Sequence, residues 1–311
     1  MRTRASSLRT VRCVAAGSNT FAGVRLDRAG MRRGNDRWVA ERLADDSSRA
    51  LLVAQDGVYV DSGSRPALVP LSALPKLEEP VLLGLDGEGA VFAVGADGLD
   101  APLDARLMGL REVGALLSPE DAGLLAYGTA MVNWHRAHPR CARCGAHTDV
   151  AEAGFLRRCP SCGAEHHPRT DPVVIMLVHD GERALLGRQP SWPEGRYSAL
   201  AGFVEPGENL EEAVAREVLE EASVRVEDVL YRSSQPWPFP ASLMLGFQAR
   251  YAGGDPSVGD GELDDVRWFA RGELAAIARG EVEGMHVPPP LAIARRLIDE
   301  WLLAARSGPL R

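Results

Sequence analysis

The chain has 311 residues, too many for one ordinary core and about the number for two domains and a small module. Hydrophobic residues make up 45% and charged residues 25%, the balance of a globular chain, and no run of about 18 apolar residues offers a membrane span. A net charge of −8 leaves the chain as a whole without the basic footprint that a general nucleic-acid binder carries.

Met1 to Gly17 carries Arg2, Arg4, Arg9 and Arg12 and no acid. No apolar core follows it, so it reads as a basic, disordered extension and not as a secretory signal. From Thr20 to Arg111, short apolar runs (Ala50 to Val53, Val58 to Val60, Val91 to Val94) alternate with Asp-Gly and Gly turns and predict hairpin strands. Ser118-Pro119-Glu120-Asp121 opens a helix: Ser118 can cap it, Pro119 fits its first turn, and the acids suit the positive end of its dipole. Leu124, Leu125, Met131 and Trp134 give that helix an apolar face, and it predicts a linker to the next module. Beyond the module come a strand at Val173 to Val178, a turn at Asp180-Gly181 and a partner strand at Arg183 to Gly187. A helix at Glu211 to Ala222 follows, then strands at Leu243 to Tyr251 and Asp265 to Phe269, and a last helix at Pro290 to Ala305. No repeat is present, and the mixture predicts an α/β (α+β) fold.

Four of the five cysteines form two C-x2-C pairs, Cys141/Cys144 and Cys159/Cys162. In a chain without a secretion signal this favours a metal over disulfides and predicts a cytoplasmic protein. Four thiolates are a complete tetrahedral set for one zinc ion, with no position left for water, so the zinc is expected to be structural. Gly145 and Gly163 each follow a pair, where the turn needs positive φ. Six arginines stand against three acids between His135 and Arg169. The two negative charges of a four-thiolate zinc centre cut that excess to about one, too little for a nucleic-acid surface. Cys13 is unpaired and reads as a spare thiol.

Glu217, Glu220 and Glu221 share one helical face, being three and four residues apart. Like charges there repel unless a divalent cation lies among them, and carboxylates suit Mg2+ or Mn2+. Leu210, Val214 and Val218 give the opposite, buried face. Gly202 and Gly207 are expected to make the preceding loop pliable.

Gly202, Glu208, Arg216, Glu217, Val218, Glu220, Glu221 and Val224 match the Nudix box, G-x5-E-x7-R-E-U-x-E-E-x-G-U with U aliphatic. Only Ser223 departs from it, standing where the box ends its helix with glycine, at a cost of about 1 kcal/mol. The stretch Ser234-Gln235-Pro236-Trp237-Pro238-Phe239-Pro240-Ala241-Ser242 resembles the SQPWPFPxS motif of the NADH pyrophosphatase branch, which includes enzymes that remove NAD caps. That branch also carries a four-cysteine ribbon before its Nudix domain. On composition alone the stretch would be a proline-rich loop. Its two aromatics, held by alternating prolines, can instead wall a heteroaromatic ring, with hydrogen bonds from Gln235 and Ser242.

The resemblance implies a Nudix mixed sheet between helices (α/β/α) over 169–311. Before it would come a ribbon over 138–168, a linker helix over 118–137 and a Nudix-like α/β domain over 1–117. It implies Glu217, Glu220 and Glu221 as catalytic metal ligands, joined by the Ala201 carbonyl and Glu262, for two to three Mg2+ or Mn2+ ions. It implies a Glu208–Arg216 ion pair that orients them. Gln235 to Ser242 would bind substrate, as would His167, which stands where the branch has a base-contacting tyrosine, and Ala294 of the Pro288-Pro289-Pro290 segment. The implied activity is hydrolysis of NADH or NAD+ to the mononucleotide and AMP, or cap removal at the 5′ end of NAD-capped RNA, by a homodimer away from membranes. A Nudix enzyme for another diphosphate such as ADP-ribose, and a non-catalytic nucleotide sensor, are the alternatives.

Overall fold

The computed structural model describes residues 19–75, 79–87, 89–259 and 261–304. The basic extension, Cys13 and Ala305 lie outside them. The chain divides into two compact units, 1–168 and 169–311.

The first unit is built on a sheet of β1 (Arg49–Val53), β2 (Val58–Asp61), β3 (Leu68–Pro70), β4 (Val81–Leu85), β5 (Ala90–Gly95) and β6 (Ala105–Met108). Their order is β4-β5-β1-β2-β6, with β3 also on β1. β1–β2 is an expected hairpin, and β5 forms another with β4; β1 and β5 also pair in parallel, a non-local contact that turn signals do not reveal. Helix α1 (Asp36–Leu43) precedes the sheet, and α2 (Leu110–Leu116) and α3 (Pro119–Ala137) follow it. The Ser118 hydroxyl accepts from the Asp121 N–H at 3.1 Å and caps α3. Helix α3 buries Leu125, Met131 and Trp134 and packs on β1, β4 and β5, so it serves the first core as well as leading to the ribbon.

The ribbon is a three-stranded sheet, β7 (Asp149–Ala151), β8 (Leu156–Arg158) and β9 (Glu165–His166). Its Arg157 is almost fully buried: the guanidinium donates to both Glu79 oxygens at 2.9 and 3.0 Å, to the Thr148 hydroxyl and carbonyl, and to His135 Nδ1. His135 Nε2 in turn bonds the Gly154 carbonyl at 2.8 Å. One arginine thus joins the ribbon to α3 and to the segment before β4.

The second unit holds β10 (Asp171–His179), β11 (Arg183–Arg188), β12 (Leu200–Phe203), β13 (Arg225–Trp237), β14 (Ser242–Gly253) and β15 (Asp265–Ala270), with helices α4 (Leu210–Ala222), α5 (Arg271–Ala278) and α6 (Ile293–Ala304). The sheet order is β13-β14-β10-β11-β15, with β12 on β10. β10 is apolar and buried from Val173 to Val178 because both its faces are covered there. Val174, Met176 and Val178 point to the α4 side with Val214 and Val218, while Ile175 and Leu177 point to the α5 and α6 side with Leu274, Leu297 and Trp301. The last helix starts at Ile293, beyond the three prolines.

Candidate active site and zinc site

Helix α4 starts with a capping box: Asn209 Oδ1 accepts from the Glu212 N–H and Glu212 Oε2 from the Asn209 N–H, both at 2.9 Å. It ends at Ser223, which takes the left-handed conformation (φ 57°) that the box assigns to glycine. Val214 and Val218 anchor the helix in the core, and Glu217 and Glu221, beside that buried face and not opposite it, are turned toward β12.

Glu217 and Glu221 are buried, at 9% and 3% exposure, whereas Glu220 is open. Glu221 Oε2 accepts from the Ala201 N–H at 3.2 Å. Burial raises the Glu217 carboxyl above its ordinary range; Arg216 opposes this, and the like charges of Glu220 and Glu262 add to it. A buried carboxyl raised by two like charges fits a site completed by a divalent cation. Glu262 is thus close enough to act electrostatically on Glu217. Its loop is docked on the end of α4, where the Ser257 and Gly259 N–H groups donate to the Ala222 and Glu221 carbonyls.

Arg216 organises the rest. Nε and Nη2 grip Glu208 at 2.5 and 3.0 Å, Nη2 also donates to the Phe203 carbonyl, and Nη1 reaches Glu217 and Glu220, each at 2.8 Å. The fork against Glu208 is bidentate, a geometry that lysine cannot reproduce. Gly202 is not in a pliable loop. It lies in β12, and a Cβ there would stand 1.9 Å from the Glu217 carboxyl carbon. Gly207 does make a positive-φ turn before the helix.

The proline-rich stretch is not a free loop either. Ser234 to Trp237 end β13 and pair with Leu245 to Ser242 of β14, and Pro238 to Ala241 form the tip between them. Trp237 and Phe239 meet edge to face at 5.1 Å, both half-buried. Pro236, Ala241 and Ser242 are half-buried, Pro238 is buried and Pro240 exposed. Gln235 corrects the expectation of a hydrogen bond toward a ring. It is fully buried, its Nε2 donates to the Leu291 carbonyl at 2.7 Å, and its Oε1 accepts from the Ile293 N–H at 2.8 Å. Its amide ties the hairpin tip to the start of α6. Ala294 is likewise inside the core beneath the sheet, at 3% exposure. His167 is exposed, just after β9 in the first unit.

β10 brings the hairpin tip and the box together. Phe203 pairs with Val173 on one side of it, and Ser242 with Asp171 on the other. That offset is roughly 7 Å along the strand and roughly 10 Å across it, a span suited to a dinucleotide.

In the ribbon, the four cysteine sulfurs lie within 4.8 Å of one another, with Cys141–Cys162 at 3.7 Å and Cys144–Cys159 at 3.5 Å. Thiolates about 2.3 Å from a tetrahedral zinc stand about 3.8 Å apart, so the four sulfurs fit zinc. Gly145 and Gly163 have φ of 77° and 72°, and each donates its N–H to the first cysteine's carbonyl of its pair at 2.9 Å. Burial pushes the Cys141 and Cys159 thiols up, but hydrogen bonds from backbone N–H groups and neighbouring side chains outweigh it and bring both to about 7. At Cys141 the largest of these comes from His166 Nε2, 3.3 Å from the sulfur. Motif spacing does not reveal that contact, since His166 sits outside both C-x2-C pairs.

Residues 168–286 match the NUDIX domain family, 46–134 the NADH pyrophosphatase-like rudimentary NUDIX domain, and 136–166 the NADH pyrophosphatase zinc ribbon domain. The chain is 41% identical over 276 residues to a protein of Mycobacterium bovis named NAD-capped RNA hydrolase NudC, covering 84% of this chain and 86% of that one. It is 42% identical over 283 residues to the protein of that name from Stutzerimonas stutzeri, covering 88% and 96%. The chain belongs to the NADH pyrophosphatase branch of the Nudix family. A protein of that name from Deinococcus radiodurans shares 41% identity over 230 residues, 73% of this chain and 78% of that one. Nudix membership implies a divalent cation at the box, and the ribbon match joins the geometry in making the four cysteines a structural zinc site.

Proposed function

We propose that this Nudix hydrolase cleaves the pyrophosphate bond of NADH and NAD+, giving the nicotinamide mononucleotide and AMP, and removes the same group from the 5′ end of NAD-capped RNA. The carrying observation is that β10 pairs on one side with β12, which lies against the α4 carboxylates, and on the other with β14, which ends in the aromatic hairpin tip. Relatives named NAD-capped RNA hydrolase over most of the chain support the substrate.

Glu217, Glu220, Glu221 and Glu262, with the Ala201 carbonyl, would hold two to three Mg2+ or Mn2+ ions. When bound, such ions neutralise phosphate oxygens and activate a water for attack on phosphorus. Arg216 and Glu208 keep the carboxylates aimed. Trp237 and Phe239 would stack a nucleoside, while Pro236, Pro238, Pro240, Ala241 and Ser242 shape that wall. Gln235 acts by holding the tip on α6 and not by touching substrate. His167 would face a ring, and Ala294 would back the pocket from within the core. Residues 169–311 form the catalytic domain in this reading, behind the ribbon of 138–168, the helix of 118–137 and the N-terminal domain of 1–117. Cytoplasmic placement suits four thiols kept as zinc ligands. A homodimer suits β13, an edge strand that exposes Leu230 and Tyr231.

Glu217→Gln keeps the shape of the side chain and removes its charge. We expect it to lose more NADH turnover than the ~10–100-fold that an outer-shell partner costs, with the circular dichroism spectrum intact. Turnover retained at the wild-type rate would remove Glu217 from the site. Cleavage of ADP-ribose with neither dinucleotide touched would instead favour another diphosphate.

A further inference from the structure

Outside the Nudix site, one cluster of cations has no carboxylate ion-pair partner among the described residues. Asp27 to Arg33 form a tight turn, in which the Asp27 carboxylate accepts from the Ala29 N–H and Ala29 takes a left-handed conformation (φ 48°) into the 3-10 turn Gly30–Arg32. The turn presents Arg28, Arg32 and Arg33, each laid on an aromatic face: Arg28 over Tyr127 at 4.1 Å, Arg32 over Trp38 at 5.5 Å and Arg33 over Phe155 at 3.3 Å. Among the described residues none of the three forms an ion pair, whereas their neighbours Arg25 and Arg37 pair with Glu120 and Glu41. Tyr127 and, more weakly, Glu152 act on Arg33 electrostatically, and Glu152 forms no ion pair with it.

The Tyr127 hydroxyl points into the same cluster. It is buried, with no partner in ordinary hydrogen-bond geometry among the described residues, and Arg28 and Arg33 are the cations that act on it. Arg33 is half-desolvated and has Arg28 as a like-charge neighbour, so its charged form is held at a cost. Nε and Nη2 of Arg33 donate to the Arg28 carbonyl, which fixes its guanidinium plane. Guanidinium groups stacked on aromatic faces and not neutralised by a carboxylate are an arrangement that binds phosphate and can stack bases. Met31, fully exposed at the apex, sets an apolar contact among the three charges.

We propose that Arg28, Arg32 and Arg33, with the Tyr127 hydroxyl, bind the phosphodiester backbone of an RNA chain. RNA is preferred over other anions on the proposed function, whose capped substrate carries such a backbone. Net charge does not oppose it, because the three arginines are gathered in one turn and none is ion-paired among the described residues.

The test uses the full-length, zinc-loaded protein and an uncapped, fluorescein-labelled single-stranded RNA, followed by anisotropy across a salt series. Arg28→Gln/Arg32→Gln changes two exposed side chains. It should weaken binding and flatten the dependence of log K on log salt by about 1.4, at about 0.7 for each phosphate no longer neutralised. Arg33→Lys keeps the charge and loses the stacked fork, and it should weaken binding with little change in slope. NADH turnover should be the same in all of these proteins. Equal affinity and slope in wild type and double variant would overturn the proposal. So would competition by poly-glutamate or inorganic phosphate as strong as by unlabelled RNA, or a wild type that hydrolyses NADH yet binds no RNA. A wild type that binds RNA through these arginines but leaves NADH intact would sink the proposed function and not this surface.

Discussion

The Glu217 carboxylate occupies the space that a side chain at Gly202 would need; a Cβ there would come within 2.1 Å of both carboxylate oxygens. β12 and α4 can therefore approach closely only because the strand residue is glycine.

Gly202→Ala should push that carboxylate out of place. The expected result is a higher metal requirement for NADH turnover and a loss of about 1–3 kcal/mol of stability from overpacking. A metal titration of turnover, run beside a urea melt, reads both. An unaltered metal requirement would show that Glu217 needs no such room.

Ser223 predicts a change of opposite sign. Its left-handed conformation is strained for any residue with a Cβ. Ser223→Gly should stabilise the fold by about 1 kcal/mol, or about 2–4 °C in the melting temperature, with turnover unchanged. A fall in the melting temperature would mean that the serine hydroxyl contributes more than the strain costs.

These two positions mark how far local sequence carries. The box glutamates and the four cysteines are legible because their spacing alone decides their geometry: one face of a helix, or one knuckle each. The partners of Gln235 are the backbone at Leu291 and Ile293, more than fifty residues on, and nothing near it says that its amide is buried. Gly202 reads as a loop residue because four-residue β12 is too short to show a period. β13 is hidden in the sequence because its edge position leaves Glu227, Asp228, Tyr231 and Arg232 exposed and blurs the alternation expected of a strand.

Buried His135 should make the first unit sensitive to acid. Burial lowers its pKa below the ordinary 6.5; the Gly154 carbonyl and Glu79 oppose this, while Arg157 and His138 add to it. The folded state therefore binds the proton less well than the unfolded chain. This contribution to stability is complete above pH 6.5 and is lost as pH falls through the lowered folded value. Hydrogen exchange at α3 and β8, followed from neutral to mildly acid pH, should show protection falling. His135→Gln, which can still donate and accept, should flatten that fall. Reading exchange locally separates the effect from His179, whose pKa burial also lowers. A pH profile unmoved by the substitution would place the acid sensitivity elsewhere.

β10 pairs with β12 on one side and with β14 on the other, so a single strand carries both the carboxylates' floor and the aromatic tip. It works as a ruler. A residue inserted between Asp171 and Val173 would lengthen the gap between the aromatic tip and the acids and would swap which side chains face each core. If the tip binds substrate as proposed, preference can change through its side chains, while the length of molecule accommodated is written into a strand covered by a core on each face.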